Sequence, residues 1–350
     1  MRNELVKVVI WGFGAMGSGM AKMILNKKGF EITGVCDRHP AIVGRSLYDV
    51  LKVTKPKKDV IIQPDIETIV KKENCDIVLL ATDSFTKKAY PKIEWLIRQG
   101  VNVISTAEEM SFPEANEPDL AKKMDELAKE HHVTVLGTGV NPGMMMALLA
   151  IALSGVMESV DEIEISRINS LSPFGPTVME EQGVGMELSL FEEKMAKGEL
   201  AGHVGFKESS GMISKALGWK LSKFEQTMAP IVTTIDRTSP YGFAKKGNVA
   251  GVDMNAIAYV DDKPLIKLHH PQQIEPELEG VHTGDYIRLC GKPLVNMAIT
   301  PEVNGGIGTI AICVNMIPHV INARPGLKTM IDLPVPRAIC GDVRDMIESE

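Results

Sequence analysis

The sequence predicts an α/β protein in which an N-terminal doubly wound parallel sheet is followed by an α+β domain with a mixed sheet. Short apolar runs alternate with helix-like segments over the first 140 residues, which is typical of a parallel sheet covered by helices on both faces. A glycine-rich stretch joins the first apolar run to the first helix-like segment. From about Asn141 the alternation gives way to longer strand-like runs.

The first domain is predicted to contain six strands and four helices. The strands are the apolar runs Val6–Trp11, Phe30–Cys36, Val60–Gln63, Asp76–Thr82, Val101–Thr106 and Val133–Gly137. The helices are Ala15–Lys28, Ile66–Lys72, Pro91–Arg98 and Asp119–Glu130. Because proline is favoured in the first turn of a helix, Pro91 is expected at the start of its helix.

The second half of the chain is predicted to begin with a buried helix, Gly143–Leu153, which is apolar nearly all round and would link two domains. Six strand-like runs follow: Ile163–Ile168, Thr227–Ile235, Val249–Val260, Pro264–Leu268, Tyr286–Leu289 and Leu294–Ile299. Helices are predicted at Glu187–Lys197, Glu208–Leu217 and Gly305–His319, and a proline-containing tail follows the last of them.

Composition excludes several classes of function. The formal charge is −7 with acidic and basic residues interleaved, which gives no support to nucleic-acid binding and favours a cationic or small neutral ligand. The longest apolar run, Met144–Leu153, is far shorter than the roughly 20 residues that span a bilayer, so no membrane is expected. Five scattered cysteines without metal-ligand spacing fit a reducing cytoplasm.

The glycine-rich stretch matches the fingerprint of a Rossmann dinucleotide-binding domain. It follows a strand, opens a helix, and precedes an acidic residue, Asp37, which lies 20 residues after Gly17 at the end of the second strand. Asp37 is expected to accept hydrogen bonds from the adenosine ribose, which favours NAD, whereas Arg38 permits the 2′-phosphate of NADP. The phosphates are expected to contact Gly12, Phe13, Gly14, Ala15, Met16 and Gly17.

Further cofactor contacts are expected beyond the carboxyl ends of later strands, where ligands of such sheets bind. The small and polar residues Ala81, Thr82 and Thr106 follow two of these strands, and Gly139 and Asn141 lie in a tight turn where the domains would join. We therefore divide the chain into three parts. Residues 1–140 are predicted to form the dinucleotide-binding domain, and residues 141–304 an α+β domain for substrate binding and oligomerisation. Residues 305–350 are predicted to form a C-terminal helix and tail that return toward the first domain.

Three acidic residues and one histidine are candidates for proton transfer or for binding a cation. Asp83, Glu108 and Glu109 follow predicted strands, although capping and surface solvation would also explain them. His203 lies between glycines and is expected to be exposed and mobile. Its ordinary pKa suits a general base, and the alternative is a histidine in a surface loop without a catalytic role.

Two arginines are candidates for binding a substrate carboxylate. Arg167 and Arg237 each lie near the end of a predicted strand, where a guanidinium could grip a carboxylate through two hydrogen bonds or form a structural salt bridge. The pair His269-His270 has no third ligand at metal spacing, so no metal is expected.

The chain resembles the 2,4-diaminopentanoate dehydrogenase family, a distant relative of the dihydrodipicolinate reductase family. The resemblance runs nearly end to end and rests on the Rossmann opening and on "VISTAEE", "GTGVNPG", "GHVGFKES" and "IPHVINARPGLKTMIDLP". It implies NAD(P)-dependent oxidative deamination of 2,4-diaminopentanoate at C4, in ornithine fermentation, and a homodimer formed through the second domain. The basic His-His-Arg-x-Lys stretch of the reductases is missing, which argues against reduction of their cyclic dicarboxylate.

The chemistry of a diamino acid suggests roles for the candidate residues. Glu108, Glu109 or Asp83 would receive the ammonium groups, His203 would carry a proton, and Arg167 or Arg237 would bind the carboxylate. Two alternatives remain open. One is another amino-acid or hydroxy-acid dehydrogenase of the same architecture, of homoserine or diaminopimelate type, and the other is a non-catalytic NAD(P)-sensing protein.

Overall fold

The computed structural model of the chain describes residues 2–348, which form two compact units. One unit contains the chain up to Met144 and again from Gly305 onward, and the other contains Met145–Asn304. No helix in residues 2–348 has the length and apolar composition needed to cross a bilayer.

The strands, numbered in chain order, are β1 Val6–Trp11, β2 Phe30–Cys36, β3 Ile62–Gln63, β4 Ile77–Leu80, β5 Asn102–Ser105, β6 Thr134–Gly137, β7 Ser159–Ser170, β8 Leu221–Val232, β9 Arg237–Thr238, β10 Phe243–Ala244, β11 Val249–Val260, β12 Lys263–Gln273, β13 Gly284–Lys292, β14 Val295–Ile299 and β15 Gly326–Lys328. The α-helices are α1 Ala15–Leu25, α2 Leu47–Leu51, α3 Thr86–Arg98, α4 Pro118–Glu130, α5 Leu149–Ser154, α6 Pro176–Glu181, α7 Leu188–Ala196, α8 Phe206–Leu217, α9 Gly305–Asn315 and α10 Ile317–Ile321.

The first unit is built on a seven-stranded parallel sheet in the order β15-β6-β5-β4-β1-β2-β3. Its central strands are buried on both faces. Val9, Val78, Val103 and Val135 are fully buried on one face, and Ile10, Leu79, Ile104 and Leu136 are fully buried on the other. From β1 the sheet continues through β2 to β3 on one side, and from β4 it continues through β5 and β6 to β15 on the other. The sheet therefore has a topological switch point between β1 and β4, where ligands of open α/β sheets bind.

The second unit is built on a six-stranded mixed sheet in the order β14-β13-β7-β12-β11-β8. Strands β7 and β12 are parallel, and the other neighbouring pairs are antiparallel. One face of this sheet carries a buried apolar cluster that includes Ile163, Ile165, Leu268 and Ile287. The predicted fold class, a doubly wound parallel sheet followed by a mixed sheet, is confirmed.

Three local predictions were wrong. The segment predicted as a helix at Ile66–Lys72 forms two short 3-10 turns, because its β-branched residues disfavour a helix. Pro91 lies inside α3 and not in its first turn, since the helix already begins at Thr86. The segment predicted as a helix from Gly143 is kinked at its start, where Gly143 has a φ of +128°.

Candidate active site

The glycine turn between β1 and α1 contains two glycines that the fold itself requires. Gly12 has a φ of +93°, and a Cβ atom there would lie 2.5 Å from the carbonyl oxygen of Ala81. A Cβ atom at Gly17 would lie 1.9 Å from the carbonyl oxygen of Gly12. Because neither glycine has a side chain, the start of α1 can lie close to β1 and to the end of β4, at the switch point of the sheet.

Gly14 differs from the other two glycines because open space surrounds it. A Cβ atom built there meets no atom within 4 Å, and its φ of −74° suits any residue. Gly14 is the N-cap of α1, and no side chain caps that helix end. The turn therefore presents free volume in front of a helix N-terminus, which is the arrangement that accepts phosphate groups.

Asp37 follows β2 and reaches the glycine turn with its carboxylate. Its Oδ2 accepts the backbone N–H of Phe13 at 2.6 Å, and its Oδ1 accepts that of His39 at 2.7 Å. Asp37 is half-buried, and Arg38 is exposed. Asp37 therefore lies beside the turn, where the fingerprint predicts an acidic residue.

The acidic residue Asp83, beyond the end of β4, forms an ion pair. Lys92 Nζ lies 2.6 Å from its Oδ2, and the hydroxyl of Thr82 donates to the same oxygen at 2.5 Å. The backbone N–H of Thr106, beyond β5, donates to the carbonyl oxygen of Leu80 at 3.0 Å. Because a lysine already balances the charge of Asp83, this carboxylate is less suited to binding a substrate ammonium group.

Glu108 and Glu109 open a short 3-10 turn, Glu108–Ser111, directly beyond β5. The Oε2 atom of Glu109 accepts the backbone N–H of Thr86 at 2.8 Å and so caps the start of α3. Glu109 thus has the capping role that was the alternative to substrate binding. Both glutamates are half-buried at the carboxyl edge of the parallel sheet.

The end of β6 is closely packed, and the turn that follows it is less so. A Cβ atom at Gly137 would lie 2.0 Å from the carbonyl oxygen of Met110, whereas at Gly139 the nearest atom would be 3.4 Å away. The backbone N–H of Val140 donates to the hydroxyl of Thr309 at 3.1 Å. The region around Gly139 and Asn141 is therefore tied to α9 within the first unit.

In the second unit, a group of buried polar side chains lies on the inner face of the mixed sheet around Arg167. Arg167 is 3% exposed, forms an ion pair with Asp285, and donates from Nη2 to the carbonyl oxygen of Val303 at 2.5 Å. His270 donates from Nδ1 to the carbonyl oxygen of Arg167 at 2.6 Å. Both terminal nitrogens of the Arg167 guanidinium therefore have a partner in the second unit.

His203 is not the exposed, mobile residue that its flanking glycines predict. Its ring packs edge-on against His270, with centroids 4.6 Å apart, and against Phe206 at 5.7 Å. Its backbone N–H contacts the Met254 sulfur at 2.9 Å. Burial, reinforced by the charge of Arg167, lowers the pKa of His203 to about 3, so the ring is neutral at physiological pH.

Arg237 does not have the geometry of a substrate-binding residue. Its side chain is fully buried, and its guanidinium donates to Thr233 Oγ1 at 2.9 Å, to Gln273 Oε1 at 2.7 Å and to the carbonyl oxygen of Ile274 at 2.9 Å. It also forms an ion pair with Glu279. These contacts are those of the structural salt bridge that was the alternative to binding a substrate carboxylate.

His270 also belongs to the group of buried polar side chains around Arg167, although its sequence context was considered only for metal binding. The strand segment "KLHHPQQ" alternates, so that His270 and Gln272 face inward while His269 faces outward. Burial and the neighbouring His203 and Arg167 keep the pKa of His270 well below its usual value. No group of three metal-ligating side chains occurs within the described residues 2–348.

Family models match both parts of the chain. The model of the dihydrodipicolinate reductase N-terminus matches residues 6–137, and the model of the 2,4-diaminopentanoate dehydrogenase C-terminal domain matches residues 144–349. The parallel sheet, the glycine turn and the N-terminal match define an oxidoreductase with a Rossmann NAD(P)-binding domain. With the C-terminal match and the relatives described next, the chain belongs to the 2,4-diaminopentanoate dehydrogenase family, which confirms the predicted resemblance.

Individual relatives are similar over nearly the whole chain. The 2,4-diaminopentanoate dehydrogenase of Acetoanaerobium sticklandii is 57% identical over 348 residues, covering 99% of this chain and 98% of that protein. An amine dehydrogenase of Streptomyces virginiae is 23% identical over 359 residues, covering 96% and 98%. The solved structure of an amine dehydrogenase from Mycobacterium smegmatis has the same fold, with a TM-score of 0.85, 24% identity and coverage of 96% and 98%.

Proposed function

We propose that this protein catalyses the NAD(P)-dependent oxidative deamination of 2,4-diaminopentanoate at C4, which yields 2-amino-4-oxopentanoate and ammonia. The observation that carries the proposal is the 57% identity to a 2,4-diaminopentanoate dehydrogenase over 99% of the chain. At that identity and coverage, we expect the two proteins to share a reaction. The expected role is in ornithine fermentation, in the reducing cytoplasm that five free cysteines suit.

The dinucleotide would be held by the first unit. The open volume at Gly14 and the uncapped start of α1 fit a pyrophosphate, and Asp37 and Arg38 lie where the adenosine ribose would bind. NAD is favoured by Asp37, and NADP is permitted by Arg38. When bound, the nicotinamide accepts the hydride that leaves C4. The residues proposed to contact the cofactor are Gly12, Phe13, Gly14, Ala15, Met16, Gly17, Asp37, Arg38, Ala81, Thr82, Thr106, Gly139 and Asn141.

Arg167 is our proposed ligand for the substrate carboxylate. It is a buried guanidinium of the second unit, and this group can hold a carboxylate through two parallel hydrogen bonds. The neutral rings of His203 and His270 lie beside it and add polar surface without a competing charge. A carboxylate binding there would place the amino groups of the substrate at fixed distances from this anchor.

Glu108 is our proposed acceptor for the proton of the C4 ammonium group. The reacting amine must lose that proton before hydride can leave, because an ammonium nitrogen has no lone pair to form the imine. Glu108 lies half-buried in the turn directly beyond β5, at the carboxyl edge of the parallel sheet where ligands of such sheets bind, and a carboxylate there can accept this proton. His203, with a pKa of about 3, is too weak a base at neutral pH for this role.

Turnover of a panel of amines tests the proposed reaction. The purified protein with NAD⁺ or NADP⁺ should form reduced nicotinamide and ammonia from 2,4-diaminopentanoate, but not from homoserine or diaminopimelate. Because an alkyl amine has a pKa near 10 by analogy with lysine, the rate should rise from neutral toward alkaline pH. Binding of dinucleotide without turnover of any member of the panel would refute the proposal and favour a sensor.

The outer face of the mixed sheet is our proposed dimer interface. It carries a cavity of about 540 Å³ whose lining includes Ser166, Ile257, His269 and Tyr286. Charges of both signs alternate around it, as in the ion pair of Arg288 with Glu164, so a second copy of the same face would meet complementary charge. Ile257→Asp should convert a dimer to a monomer in light scattering, and a parent protein that is already monomeric would refute this interface.

A further inference from the structure

Gln182, the C-cap residue of α6, places its side-chain amide in the interior of the second unit, where the residue is only 4% exposed. Its Nε2 donates to the carbonyl oxygen of Gly202 at 2.9 Å and so connects the end of α6 to the loop that carries His203. Its Oε1 is buried and accepts no hydrogen bond from any of residues 2–348. Because a buried acceptor without a donor is costly, this oxygen is suited to a donor that a ligand brings.

The Gln182 amide lies next to the group of buried polar side chains around Arg167. A Cβ atom at Gly202 would lie 2.7 Å from the sulfur of Met254, so the loop packs directly on β11. Met254 is opposite His270 in the ladder between β11 and β12, and His270 Nδ1 donates to the carbonyl oxygen of Arg167 at 2.6 Å. The unpartnered oxygen therefore borders the place where we expect the substrate carboxylate.

Other unpartnered polar atoms of the second unit can find partners within the chain. Asn169 Oδ1 and Gln272 Nε2 are an acceptor and a donor on residues that face each other between β7 and β12, so rotation of either amide can pair them. The hydroxyls of Ser209 and Ser210 can turn toward carbonyl oxygens of α8. Gln182 cannot rotate in this way, because its Nε2 is already engaged.

We propose that Gln182 Oε1 accepts a hydrogen bond from the C2 ammonium group of the substrate, while Arg167 holds the adjacent carboxylate. The inference rests on the proposed reaction and adds to it the residue that recognises the second amino group. The C2 ammonium and the carboxylate are separated by a single carbon, which matches an acceptor that borders the Arg167 group. Because their charges balance each other, a neutral amide is sufficient at this end of the substrate.

A neutral acceptor at C2 also accounts for reaction at C4. An amide oxygen accepts a hydrogen bond from an ammonium group but is too weak a base to remove its proton. The C2 nitrogen therefore keeps its proton and has no lone pair with which to form an imine. Only the C4 nitrogen, beside a carboxylate that can take its proton, becomes a free amine that can lose hydride from its carbon.

The binding of two ligands tests this assignment without turnover. One is 2,4-diaminopentanoate, and the other is 4-aminopentanoate, which lacks the C2 amino group. Calorimetric titration in saturating NADH prevents oxidation of either. The parent protein should bind the diamino acid roughly tenfold to 100-fold more tightly, the usual effect of a hydrogen bond to a charged group. Gln182→Met, which keeps the length of the side chain but has no acceptor oxygen, should lose that preference. A preference that persists in this variant would overturn the proposal.

A second variant separates the acceptor from the contact with Gly202. Gln182→Glu keeps acceptor oxygens but loses the N–H donor, so it should still prefer the diamino acid. Loss of the preference in both variants would show that the amide only holds the loop, and would refute its role as an acceptor.

The matched control is Asn248→Leu, because Asn248 Nδ2 also donates to a glycine carbonyl, that of Gly185 at 2.9 Å, at the start of β11. It should keep the preference of the parent, and a loss there as well would assign the effect to general loosening of the second unit and overturn the proposal. Circular dichroism verifies each fold. Turnover of 2,4-diaminopentanoate by the parent protein is measured separately, so a failed reaction and a failed role for Gln182 remain distinguishable.

Discussion

Replacing Gly14 with valine should abolish dinucleotide binding while the protein stays folded. The backbone of Gly14 is extended and no atom lies within 4 Å of a Cβ built there, so the free protein can accommodate the side chain. The branched side chain would occupy the volume in front of α1 that the phosphates need. Losing two charge-assisted hydrogen bonds would cost about 3–6 kcal/mol, or at least roughly 100-fold in affinity. Titration of NADH fluorescence measures the loss.

Two other glycines provide controls for that result. Gly175 is also an extended N-cap residue with open space around it, but it begins α6 in the second unit, so Gly175→Val should bind NADH like the parent. Gly17→Ala should instead lower the thermal midpoint, because its Cβ would lie 1.9 Å from the Gly12 carbonyl oxygen. Parent-like NADH affinity in Gly14→Val would show that the phosphates bind elsewhere.

These glycines show which features of the fold a local sequence motif could predict and which it could not. The spacing of Gly12, Gly14 and Gly17 after an apolar strand was enough to predict the Rossmann domain, because each step of that motif is local in the chain. The strands β1 and β2 were also predicted with their observed bounds, since continuous buried runs are local patterns too. What the motif could not reveal is that only Gly14 keeps open volume, which depends on packing against β4.

The surroundings of Arg167 and Arg237 could not be predicted from local sequence patterns. Both Arg167 and Arg237 lie in strands, and nothing adjacent in the sequence distinguishes them. Their surroundings come from distant segments: Asp285 is 118 residues from Arg167, and Gln273 is 36 residues from Arg237. His203 was misjudged for the same reason, since its partner His270 becomes a neighbour only after the mixed sheet has formed. By contrast, alternation within β12 was visible in the sequence and could have placed His270 and Gln272 on the inner face.

Replacing Glu108 with glutamine should reduce kcat at neutral pH by about 10²–10⁴-fold, the usual contribution of a general base. Glutamine keeps the size of the side chain but cannot accept the proton of the C4 ammonium group. NADH affinity should be unchanged, because the substitution is meant to affect only the amine. The adjacent Glu109→Gln is the matched control: it weakens the cap of α3, at a cost of about 1 kcal/mol in stability, and should retain parent turnover.

The pH dependence distinguishes a lost base from a distorted site. The fraction of free amine in solution rises about tenfold per pH unit below its pKa near 10, so less enzymatic deprotonation is needed as the pH increases. The defect of Glu108→Gln should therefore shrink between pH 7 and about 9, whereas a misplaced substrate would leave the defect constant over that range. His203→Ala should leave the shape of the profile unchanged, since a ring with a pKa of about 3 does not titrate there. Parent-like turnover of Glu108→Gln at pH 7 would exclude Glu108 as the base, and Asp83→Asn, which releases Lys92, would then be the decisive variant.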